Sequence, residues 1–235
     1  GGVAAAKPAE RHPVAPAYDF SAVTAYMDAG YKSRGYPGAS MLVAKDSRVI
    51  YERYFGDYTP ATQVQIASST KWLSAAVIMS LVDDGKIDLD AKLSHYLPQF
   101  TGKKGEPTIR QMFSHTSGML EPPGPPGARA GWDYSLTMQQ YADRMAQDVV
   151  MAGDPGSGIR YASVSMQIVG AIAEKVTGKS WAELFRARVA DPCDMPHTFY
   201  GRTPGTTQPA TLKETTRNPM LAGGAYSTLH DYAHF

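Results

Sequence analysis

One cysteine, Cys193, occurs among 235 residues. That count excludes an internal disulfide and a cysteine-based metal cluster within this chain. The setting of Cys193, beside Pro192 and close to Met195, suggests packing rather than reactivity. No apolar stretch is long enough to cross a bilayer as a helix. Lysines and arginines number 23 against 22 acidic residues, a net charge of +1. Such a balance gives no electrostatic footprint for nucleic acid or an anionic membrane. A Gly-x-Ser-x-Gly elbow is missing, which argues against an α/β-hydrolase triad. His230 and His234 stand four apart, but the glutamate of an HExxH zinc site is lacking. No metal or cofactor is therefore expected, and no internal repeat is visible.

What remains is an ordinary globular composition, 43% hydrophobic, sized for one or two domains. Residues 1–17 are Ala- and Pro-rich and read as a flexible leader. Residues 18–66 read as a helix and a β-hairpin. Phe20, Val23, Met27 and Tyr31 recur at helical spacing after Asp19, a candidate N-cap. Ser40–Ala44 and Val49–Phe55 flank a polar turn. No other segment has a convincing strand pattern. A lone hairpin is marginally stable, so further strands are expected from elsewhere, and an isolated 1–235 chain is expected to be unstable. Residues 67–220 read as a central helix followed by a helical region, and 221–235 as a return to the α/β part, cut short. Thr108 with Gln111, Thr137 with Gln140, and Ser180 with Glu183 match capping boxes.

The chemistry concentrates where the chain turns from polar to apolar, at Ser68-Ser69-Thr70-Lys71. Residues three apart project from one helical face, so the serine oxygen and the lysine amine can meet. The first turn also offers unpaired N–H groups and the positive end of the helix dipole to an oxyanion. Trp72, Leu73 and Ala75 through Val82 are apolar almost all round, the pattern of a buried helix, and Gly85 is placed to cap it. The plainer reading makes Ser68 an N-cap and Lys71 a surface charge. A lysine opening a helix lies on the disfavoured side of the dipole, which counts against it.

Later segments complete a pattern. Asp83-Asp84-Gly85-Lys86, Ser114-His115-Thr116-Ser117-Gly118, Tyr161-Ala162-Ser163, Val176-Thr177-Gly178-Lys179 and Gly223-Gly224-Ala225-Tyr226 follow in order. Over residues 18–235 this resembles the serine β-lactamase and penicillin-binding-protein superfamily, most of all its class C branch, which includes carboxylesterases and D-amino-acid peptidases. The resemblance implies an α/β fold, an antiparallel sheet flanked by helices plus an all-helical region. It implies a hydrolase whose acyl-enzyme forms on Ser68, with Lys71 and Tyr161 as the shared base. Ordinary lysine titrates near about 10.4 and tyrosine near about 10, so a base at neutral pH needs burial or a neighbouring charge to assist. His115 is expected to hydrogen-bond within the helical domain.

Ser163 stands where many β-lactamases and peptidases have Asn, which shifts weight toward short acyl esters over β-lactams and D-peptides. Trp132, ending the Pro- and Gly-rich stretch 121–131, is a second candidate substrate contact. The family's third motif, Lys/His/Trp-x-Gly on an edge strand, does not occur before Phe235. Either a longer polypeptide or a second chain is expected to complete the sheet, and a non-catalytic binding protein of this fold stays open. Family habit points to the periplasm or secretion, with the cytoplasm as the alternative.

Overall fold

The computed structural model describes residues 18–122, 133–201 and 216–235. Two compact units are present, divided after Thr59.

The first unit holds α1 (Ser21–Ser33), β1 (Gly38–Lys45) and β2 (Arg48–Gly56). The strands pair antiparallel from Gly38 opposite Gly56 to Lys45 opposite Arg48, with a bulge between Val43 and Ala44. Asp46 and Ser47 both take positive φ, the two-residue turn whose twist matches that of the strands. The close pairing of Gly38 with Gly56 needs small residues, since a Cβ on Gly38 would lie 2.5 Å from the Phe55 carbonyl oxygen. The ring of Phe20 packs 4.5 Å from that of Tyr51, whose hydroxyl shares a 2.7 Å hydrogen bond with Thr24. Asp19 is not the N-cap. Phe20 occupies that position, while the Asp19 carboxylate accepts the Ser21 N–H at 2.8 Å. The acid reaches the same orphan donors from one residue further out.

The second unit begins with β3 (Val64–Gln65), a tight turn at Ala67–Ser69 and α2 (Thr70–Asp83). Leu73, Val77, Ile78 and Leu81 lie at most 2% exposed, each contributing about 1.5–3 kcal/mol through burial. The all-round apolar pattern is not buried all round: Trp72 is 71% exposed and Met79 44%. Those two residues are seven apart and so share one face. Gly85, with φ +68°, follows the helix end as a left-handed stop.

Next come α3 (Leu93–Tyr96), α4 (Ile109–Phe113), β4 (Met119–Leu120), α5 (Met138–Asp148), β5 (Val150–Met151), α6 (Val164–Thr177) and α7 (Trp181–Phe185). The three capping boxes form as read, at the starts of α4, α5 and α7. α6 is buried along most of its length. Its Gly170 allows close approach, since a Cβ there would lie 2.5 Å from Leu221 Cδ2 and 2.9 Å from Met138 Sδ. Finally β6 (Phe199–Tyr200), β7 (Ala225–Ser227) and α8 (Leu229–His234) close the unit.

Short strands, each two or three residues long, do the positioning. β7 pairs antiparallel with both β3 and β6, and β4 pairs with β5. None carries enough residues to show a period of two, which is why the hairpin alone was legible as β structure.

Candidate active site

The turn before α2 is fixed from two directions. Ile66 donates its N–H to the Ala225 carbonyl at 3.0 Å, and Thr70 Oγ1 accepts the Ala225 N–H at 3.1 Å. Ala67 is held at φ +44°, a left-handed conformation unusual for a residue with a Cβ. Ser68 therefore lies in a tight turn just outside the regular helix rather than in its first α-turn. Ser68 and Lys71 still meet, because Lys71 Nζ donates to Ser68 Oγ at 3.2 Å. The same ammonium donates to the Ala222 carbonyl at 2.7 Å.

Tyr161 arrives from the segment before α6. That segment is laced to the one before β4: Gly156 N–H donates to the Thr116 carbonyl at 2.8 Å, and Arg160 N–H to the His115 carbonyl at 2.7 Å. The Tyr161 hydroxyl shares a 2.6 Å hydrogen bond with Ser68 Oγ. Lys71 Nζ lies 4.6 Å from the centre of the Tyr161 ring. Hydroxyl, amine and phenol thus form one connected group, at the rim of a cavity of about 370 Å³.

Ser163 lines the same cavity and stands at the N-cap of α6, though its hydroxyl makes no capping bond. The cap comes instead from Glu121, whose Oε1 accepts the N–H groups of Ser163 and, at 3.2 Å, of Val164. A carboxylate is well suited to this place, next to the positive end of a fourteen-residue helix. Glu121 was not singled out by sequence. Its signal, an acid following the Ser117-Gly118 turn, gains meaning only once the chain has brought α6 alongside. Tyr141 also lines the cavity, with its hydroxyl pKa pushed up by burial and by the Glu121 charge. It stays a neutral phenol. Trp132 lies outside the described residues.

Met220, Ala222 and Gly223 also line the cavity. Gln167, buried in α6, holds that stretch by donating to Asn218 Oδ1 at 2.7 Å and the Pro219 carbonyl at 2.8 Å, and by accepting the Leu221 N–H at 3.0 Å. His230 and His234 lie on α8 with ring centres 6.4 Å apart, and His234 Nδ1 meets the Asp194 carbonyl at 2.9 Å. No grouping of three or more His, Cys, Asp or Glu that could hold a metal ion occurs among the described residues.

Such an arrangement can take a proton from a hydroxyl, hold a cation beside the emptied oxygen and return the proton elsewhere. Comparison with known proteins finds relatives named as hydrolases. EstB, an esterase of Burkholderia gladioli, is 29% identical over 208 residues, 78% of this chain and 53% of the relative. The E. coli "Putative D-alanyl-D-alanine carboxypeptidase" is 26% identical over 190 residues, 71% of this chain and 44% of that protein. The chain thus spans about half the length of these curated relatives. Among solved structures, a "putative beta-lactamase" of Bacteroides dorei DSM 17855 superimposes with a TM-score of 0.77 at 32% identity, over 93% of this chain and 62% of that one. Helices and antiparallel sheets are arranged as in the β-lactamase/transpeptidase-like fold. The family model for beta-lactamase matches residues 22–235, and the chain belongs to that family.

Proposed function

We propose that this protein is a serine hydrolase that forms an acyl-enzyme on Ser68, acting as a carboxylesterase on short acyl esters. The observation that carries the reading is the double engagement of Ser68 Oγ, by the Tyr161 hydroxyl at 2.6 Å and Lys71 Nζ at 3.2 Å. Lys71 and Tyr161 act as one proton-sharing unit. The pair withdraws the Ser68 proton as Oγ bonds to the ester carbonyl carbon. The tetrahedral oxyanion then collapses, the C–O bond to the alcohol breaks, and the pair returns the proton to the leaving oxygen. A water molecule, deprotonated by the same pair, attacks the acyl carbon and releases the acid and free Ser68.

Two features support esters over amides. Ser163, not an amide side chain, borders the cavity beside Tyr161, and EstB, a relative named as an esterase, matches over most of this chain.

Intact mass before and after exposure to an acyl phosphonate, on the full-length protein and its Ser68→Ala variant, tests the nucleophile. One adduct, lost in the variant, is expected. No adduct on the intact protein would favour a binding protein that kept the fold without the chemistry. Turnover of p-nitrophenyl acetate and butyrate against nitrocefin then separates ester from β-lactam hydrolysis, and faster nitrocefin turnover would overturn the ester assignment.

A further inference from the structure

Tyr161 is the only member of the connected group that comes from a segment without regular structure. Its hydroxyl must nevertheless sit within hydrogen-bonding distance of Ser68, and one residue on another segment, His115, meets the chain at Tyr161 and on both sides of it. His115 touches the Tyr161 segment in three ways. Its carbonyl accepts the Arg160 N–H at 2.7 Å. Its Nδ1 accepts the Ala162 N–H at 3.4 Å. Between those two bonds its ring lies against the Tyr161 ring, centres 4.5 Å apart and planes inclined by 35°. The backbone either side of Tyr161 and the ring itself are thereby referred to one residue, the Arg160 side through its carbonyl and the Ala162 side and the ring through its imidazole. His115 takes φ +59° to do this, a conformation that costs a residue with a Cβ of order 1 kcal/mol or more and persists where surrounding bonds hold it.

We propose that His115 is the positioning residue for Tyr161, and that it performs this task only as the neutral imidazole. The inference rests on the reading of Tyr161 as a proton carrier for Ser68. Its chemical basis is the acceptor at Nδ1: an imidazolium carries N–H on both nitrogens and cannot accept the Ala162 N–H. Protonation would therefore replace a hydrogen bond with two opposed donors and place a second cation against the Tyr161 ring. The charged and titratable groups facing this ring are Lys71 from α2, Glu121 from the loop after β4, and Tyr161 itself. Burial first, then the Lys71 charge, holds the His115 pKa below its ordinary value, with the Glu121 charge pulling the other way. The neutral form is accordingly the resting one at pH 7, and its loss belongs to the acid side of about pH 6.5.

Two substitutions divide the roles. His115→Phe keeps a ring against Tyr161 and removes the acceptor. His115→Asn places a non-titrating oxygen close to where Nδ1 lay and tolerates the left-handed backbone. On the full-length protein with p-nitrophenyl acetate, His115→Phe is expected to lower kcat by roughly 10- to 100-fold with KM changed by less than about 3-fold, the scale of a misplaced reacting group. His115→Asn is expected to recover most of that loss and to abolish the histidine component of the acid limb. Amide NMR gives a readout independent of turnover: the Ala162 N–H resonance should titrate together with the His115 ring protons in the wild type and stay flat in His115→Asn. An Ala162 resonance indifferent to His115 titration, or a folded His115→Phe enzyme with wild-type kcat, would overturn the proposal. If Ser68→Ala leaves hydrolysis intact the Ser68 reading fails instead, and the Ala162 titration still decides whether His115 holds the tyrosine segment.

Discussion

Lys71 donates a 2.7 Å hydrogen bond to the main-chain carbonyl of Ala222, so the amine beside Ser68 is aimed by a backbone atom rather than by another side chain. A backbone acceptor cannot be removed by mutation at its own position. It also leaves the remaining protons of Nζ directed at Ser68 Oγ and the tyrosine ring.

Replacing Lys71 with Met keeps the stem and removes the amine. If the proposed proton sharing operates, kcat on p-nitrophenyl acetate should fall by about 10²–10⁴-fold, the range for a positioned acid–base group. Lys71→Arg should recover little of it, because a planar guanidinium cannot give up a proton and cannot meet both acceptors in the same geometry. Equal activity in Lys71→Arg and wild type would show that charge alone is needed.

Glu121 holds the start of α6 through Ser163 and Val164. Glu121→Ala should cost about 0.5–2 kcal/mol, the usual value of a helix cap. For a chain of this length that lowers Tm by roughly 1–8 °C in a thermal melt. Glu121→Gln, which keeps an accepting oxygen but not the charge, should lose distinctly less. A full-sized loss in the glutamine variant would assign the effect to the charge on the helix dipole.

Gly170 faces Leu221 and Met138 with no room for a Cβ. Gly170→Ala gains up to about 1 kcal/mol of helix propensity and loses about 1–3 kcal/mol to overpacking, so it should be close to neutral or mildly destabilising. Gly170→Val has a weaker propensity gain and two further methyl groups to place. A drop of about 2 kcal/mol or more in a urea titration is expected. Because Leu221 adjoins Ala222, the valine variant should also lose activity beyond what its unfolded fraction explains.

Stability should fall on the acid side through His115. Burial and Lys71 put its folded-state pKa below the unfolded value of about 6.5, so the unfolded chain binds the proton more readily. The contribution is complete above that unfolded value and is lost as pH falls through the folded one. Urea midpoints for wild type and His115→Asn between pH 4.5 and 8 measure it, and the asparagine variant should show the shallower acid slope. Parallel curves would mean that His115 titrates alike in both states.

Where the chain advertises itself, it does so through groups that act locally. The capping boxes at Thr108, Thr137 and Ser180 each need only four consecutive residues, and each forms. The Ser68 and Lys71 pairing is likewise a matter of one turn. Glu121, Tyr141 and, beyond its expected hydrogen bonding, His115 were opaque for the opposite reason. Their partners are 20 to 50 positions away or on other helices, and an acid, a tyrosine or a histidine in a polar segment has many ordinary uses. Trp72 and Met79 mark a different limit: composition tells how apolar a helix is, but not which of its faces the rest of the chain will cover.

The pairing of Val64–Gln65 with Ser227–Tyr226 sets a schedule as well as a shape. Ser68 and Lys71 are made well before the carbonyl that aims the lysine, which is 151 residues further on. At about 5–20 residues per second, synthesis leaves roughly 8–30 s between them. Throughout that interval the nascent chain carries Ser68 without a directed amine, and on the proposed reading its activation waits for the segment around Ala222 rather than for any later processing of the serine itself.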